Sequence, residues 1–115
     1  MGVLNFRKYA RVEVEISIKF FAQGNEEPLN AYLNNLSEEG ASLLCPFTIP
    51  AATLLEFDVK LPKISEAVHI KAEVLWARPV KENGQDFFAH GLLFRRLGIE
   101  DRQRLHEFIS HTMSY

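Results

Sequence analysis

The sequence predicts a mainly β domain, a six-stranded antiparallel barrel with one C-terminal α-helix. Successive segments alternate apolar and polar residues at a strict period of two, turn-forming residues separate them, and a helical stripe occurs only at the end. At 115 residues the chain has room for one ordinary domain, spanning 1–115.

The first strand is the clearest. Val12, Val14, Ile16, Ile18 and Phe20 are separated by Glu13, Glu15, Ser17 and Lys19, one face for a core and one for water. The run from Gln23 to Pro28 makes a turn. A short second strand is expected around Asn30 to Leu33, then a polar break from Asn34 to Gly40, then the apolar run Ala41 to Cys45. Pro46 and Pro50 bracket a loop. Leu55, Phe57, Val59 and Leu61 alternate with charged residues until Pro62 stops the strand. Val68, Ile70, Ala72, Val74 and Trp76 form the inward face of the next. Asn83-Gly84 marks a hairpin, since both residues tolerate positive φ, and the return strand runs from Phe87 to Arg95. Closing residues 12–95 into a barrel removes exposed strand edges. The helix covers 100–113, with Leu105, Phe108, Ile109 and Met113 on one stripe. Ile99 is placed for a hydrophobic staple, and Asp101 favours the first turn electrostatically. Asp101, Arg102, Arg104 and Glu107 read as a solvated face.

Composition excludes several function classes. The hydrophobic fraction of 47% with 24% charged residues is that of a globular protein. A net charge of -2 and a pI near 6.1 argue against DNA or RNA as partner, because tracking a phosphate backbone needs a basic face. The single cysteine, Cys45, permits neither an intramolecular disulfide nor a Cys-rich zinc site, and reads as a small buried hydrophobe. His106 and His111, five apart, stand about 140° apart on a helix, so no metal site is expected. Trp76 and the nine phenylalanines read mostly as core. No nucleophile elbow, phosphate loop or triad is present, so there are no catalytic residues and no enzyme is expected. Lack of a leader or an apolar span predicts a cytoplasmic protein without membrane insertion.

Two features stand outside the core pattern. Arg7 and Arg11 flank Lys8-Tyr9-Ala10 just before the first strand, and Asn35-Leu36-Ser37-Glu38-Glu39-Gly40 fills the polar break. An arginine fork meets guanine O6 and N7 together, which lysine cannot do, and a guanidinium can also stack on a purine or clasp a phosphate. Asn35 offers a donor and an acceptor, Ser37 a rotatable hydroxyl, and Gly40 lets a backbone come close. Residue usage alone puts both motifs in this order in about one chain in a hundred.

The pattern Arg7-x-x-x-Arg11 before the first strand and Asn35-x-Ser37-x-x-Gly40 after the second resembles the PilZ domain. Val74-Leu75-Trp76 and Gly91-Leu92-Leu93-Phe94 look like that family's later strands, so the resemblance runs from Arg7 to the helix. It implies a six-stranded barrel capped by a helix that binds cyclic di-GMP and needs no cofactor. Carried over by position, Arg7 and Arg11 engage guanine edges and phosphates, while Asn35, Ser37 and Gly40 line the opposing wall. Phe6 and Lys8 stand as supporting neighbours where the family often has a second arginine, and Asn35 stands where Asp is more usual.

The mechanism so implied is a clasp. The segment 1–11 has little apolar surface with which to order itself, so ligand would fasten it to the barrel and change a surface read by another protein or an adjoining domain. Two alternatives stand beside it. One is a nucleotide-independent adaptor acting by protein contacts in motility or pilus assembly; the other is a small oligonucleotide-binding barrel.

Overall fold

The computed structural model describes residues 9–113. Six strands precede one helix: β1 Val12–Ala22, β2 Leu29–Leu36, β3 Gly40–Cys45, β4 Leu54–Val59, β5 Val68–Glu82, β6 Gln85–Phe94 and α1 Ile99–Met113. Every pairing is antiparallel. The order β1-β2-β3-β6-β5-β4 returns to β1, so the sheet closes on itself. Phe20, Leu33, Leu43, Val59, Ile70 and Val74 fill the interior and are fully or almost fully buried, as period-two alternation requires of a closed sheet. Asn83 and Gly84 both take positive φ (51° and 78°) and close the β5–β6 hairpin.

Several sequence expectations need correction. The polar break does not begin at Asn34: β2 runs on to Leu36, with Asn35 paired to Glu13 on one side and Ser42 on the other. Ladder partners on both sides override the low strand preference of asparagine. β5 also continues past Trp76 to Glu82, through Pro79. Beyond Glu73 its pairing to β4 ends and only β6 remains alongside, so the N–H that Pro79 lacks is not missed.

Trp76 does not face the core. A register shift between Val74 and Trp76 puts an extra residue into the strand and reverses its phase, leaving Trp76 42% exposed on the outer wall.

α1 lays Leu105, Phe108 and Ile109 against the core. Met113, expected on the same stripe, is half-exposed, and Ile99 is 79% exposed, so it staples nothing. Asp101 and Arg104 are not a solvated face. Asp101 Oδ1 accepts the His69 backbone N–H (3.2 Å) and an Arg104 N–H (3.3 Å), and Arg104 also reaches Glu66 (3.3 Å). These bonds fix the helix start to the start of β5.

His90 is fully buried. Its Nε2 accepts the Ile49 N–H at 2.9 Å, and its Nδ1 lies 3.3 Å from the Leu43 carbonyl. One nitrogen accepts and the other donates, which is the neutral ring, and burial holds its pKa below the ordinary value. It fastens the loop after β3 to β6.

Candidate functional site

The site grows from the strand ends around the β5 bulge. With its phase reversed, Trp76 lies against the backbone of Gly91, where any Cβ would collide with the indole nitrogen. Arg78 then projects on the same outer side, its guanidinium carbon 5.2 Å from the Trp76 ring centroid, a cation–π stack. Across the sheet, β2 has its own irregularity between Leu33 and Asn35, and Asn34 and Asn35 both reach the outer wall. Between them opens a cavity of about 450 Å³. Arg11, Asn34, Asn35, Ser42, Trp76 and Arg78 line it, with Lys81 and Glu82 at its margin.

Arg11 Nη1 donates to Asn35 Oδ1 at 3.1 Å, so one member of each sequence motif meets the other at this cavity. The cavity thus carries two arginines and a lysine against one glutamate, an excess of positive charge within a chain of net charge -2. Asn34 Oδ1 is enclosed with no hydrogen-bond partner among the described residues.

Ser37 and Gly40 do different work. Ser37 is fully buried, and its hydroxyl accepts the Gly40 N–H (3.1 Å) and the Glu39 N–H (3.2 Å) while lying 3.2 Å from the Gly40 carbonyl. The Ser37 N–H closes the turn on the same carbonyl at 2.9 Å. Gly40 has no room for a side chain, because a Cβ would run into the Leu92 carbonyl of β6. Together they set the tight β2–β3 turn that holds Asn35 at the cavity. Arg7, with Phe6 and Lys8, lies outside the described residues.

Sequence reasoning missed Trp76, Arg78, Asn34 and Ser42. A signal for the first two was present: continuing the inward phase from Val74 through Trp76 puts Arg78 in the core, which an unpaired arginine does not tolerate.

Geometry defines a class first: a closed antiparallel sheet with a basic, tryptophan-floored cavity on its outer wall. The chain belongs to the PilZ domain family, whose pattern matches residues 5–111. Solved structures share the fold. The PilZ domain of Escherichia coli YcgR, with c-di-GMP, superimposes with a TM-score of 0.71 at 16% identity, covering 91% of this chain and 90% of that one. The Klebsiella pneumoniae MrkH–c-di-GMP complex gives a TM-score of 0.77 at 13% identity, covering 91% of this chain and 50% of that one. Bacillus subtilis MotI, described as an inhibitor of motility, gives 0.69 at 17%, covering 93% and 51%. The chain thus spans about half the length of MotI and MrkH. No curated protein matches it in sequence. Among the described residues no helix is long and apolar enough to cross a membrane.

Proposed function

We propose that this domain binds cyclic di-GMP in the cavity between the Arg11–Asn35 pair and the Trp76–Arg78 stack, acting as an effector rather than an enzyme. The observation that carries the reading is the 3.1 Å contact between Arg11 and Asn35 at the rim of that cavity. Arginine forks supply what guanine O6/N7 and the phosphates require, and the exposed indole offers a stacking face. The relatives solved with c-di-GMP support the choice of ligand. Arg7 joins from the N-terminal segment, Ser37 and Gly40 shape the wall, and Phe6 and Lys8 assist. Ligand fastens that segment to the sheet, and the altered surface is read by a protein or an adjoining domain in the cytoplasm.

Calorimetric titration of cyclic di-GMP into the wild type and Arg11→Ala at fixed salt tests this. Losing one bidentate contact costs about 1–3 kcal/mol, or about tenfold or more in affinity. A wild type that gives no heat and no competition would turn the reading toward a nucleotide-independent adaptor.

A further inference from the structure

We infer that Asn34 is a specificity residue of the outer cavity, its side-chain oxygen accepting a hydrogen bond from the 2-amino group of guanine; the inference rests on the cyclic di-GMP reading. In a regular strand Asn34 and Asn35 would face opposite sides of the sheet. Both line the outer cavity instead. Towards β3, Leu33 stands opposite Leu43 and Asn35 opposite Ser42. Towards β1, Leu33 stands opposite Ile16 and Asn35 opposite Glu13, so neither ladder gives Asn34 a partner. An irregularity of this kind gives up pairing and re-aims a side chain.

The side chain so aimed is unsatisfied. Asn34 Oδ1 is enclosed and accepts no hydrogen bond among the described residues, a state that destabilises the empty domain. The χ2 of asparagine is a soft torsion. Its oxygen can therefore turn to a donor that arrives in the cavity, with no movement of the backbone.

The chemistry of the ligand selects that donor. An arginine fork on O6 and N7 uses one edge of guanine and leaves N1–H and the 2-amino group on the other edge in need of acceptors. Arg11, Arg78, Lys81 and the Trp76 indole, all at the cavity, only donate. Asn35 Oδ1 is taken by Arg11. The Ser42 hydroxyl donates as readily as it accepts, so it selects neither. Glu82 lies at the margin, and its charge opposes the ligand's phosphates. Asn34 Oδ1 remains, and the 2-amino group, projecting beyond the ring, is the donor that reaches an oxygen set into the wall.

Calorimetric titration of the full chain at fixed salt, with cyclic di-GMP and with cyclic di-IMP, tests this. Cyclic di-IMP carries hypoxanthine, which is guanine without the 2-amino group. The wild type should bind cyclic di-GMP about tenfold tighter than cyclic di-IMP. Asn34→Ala should weaken cyclic di-GMP by about the same factor and leave cyclic di-IMP unchanged, which also shows that the variant folds. Asn34→Asp keeps an acceptor and should keep the preference. Three outcomes overturn the inference while the cyclic di-GMP reading stands. They are a wild type without preference, a preference intact in Asn34→Ala, and an equal loss of both ligands in that variant, as a purely structural role would give. A preference intact in Asn34→Ala but lost in Glu82→Gln would move the role to Glu82. A wild type that binds neither ligand overturns the cyclic di-GMP reading and this inference with it.

Discussion

Arg11 and Asn35, 24 positions apart in sequence, meet through a hydrogen bond of 3.1 Å at the rim of the outer cavity. One ends the segment before β1 and the other lies near the end of β2. Their contact is exposed, so it contributes little to folding and is available to be remade around a ligand.

Asn35→Ala should therefore separate binding from stability. Affinity for cyclic di-GMP is expected to fall about tenfold, whereas the unfolding free energy should drop by about 1 kcal/mol or less. Calorimetry and urea denaturation on the same samples check both. Asn35→Asp should keep most of the affinity, because a carboxylate accepts from Arg11 more strongly than an amide does.

Gly40→Ala is expected to behave in the opposite way. Its methyl group meets the Leu92 backbone, which cannot swing aside as a side chain would, so strands β3 and β6 must part. The expected cost is about 1–3 kcal/mol, seen as a lower urea midpoint with an unchanged slope. A variant as stable as the wild type would show that the turn is looser than described.

Stability should also fall on the acid side through His90. Burial lowers its pKa in the folded state from the ordinary value of 6.5, so the unfolded chain takes up the proton more readily. The contribution is complete above about pH 6.5 and is lost as pH falls through the lower folded value. His69 has the reverse sign. Asp58 at 2.7 Å, with Glu56 at 2.8 Å, raises its pKa, so its contribution is complete below about pH 6.5 and lost as pH rises through the higher folded value. Going from about pH 7.5 to about pH 5, the urea midpoint should therefore fall less, or rise more, in His90→Gln than in the wild type, because the opposing His69 contribution is left in place. The same change as in the wild type would remove His90 from the account.

Much of this was legible in the chain itself. The alternation from Val12 to Phe20, the Asn83-Gly84 hairpin and the Leu105–Phe108–Ile109 stripe each depend on local pattern, and the structure contains all three. Arg11 and Asn35 were legible because their residue types suit a guanine nucleotide. Trp76 was not, because one inserted residue at a bulge inverts every later side chain of a strand. Asp101 and Arg104 looked solvated because their partners, His69 and Glu66, lie more than thirty positions away. The roles of Ser37 and Gly40 needed the neighbouring backbone: one hydroxyl is consumed inside the turn, and one missing side chain makes room for β6.

The most direct test uses Trp76, the chain's one tryptophan, as its own reporter. Titration with cyclic di-GMP should change its emission saturably, with a midpoint equal to the calorimetric one. Cyclic di-AMP should not reproduce the change, since adenine offers an amino donor where guanine offers O6. Gly91→Ala, which displaces the indole, should blunt the signal. Saturable heat from cyclic di-GMP with unaltered Trp76 emission would place the ligand elsewhere and contradict the assignment of this cavity.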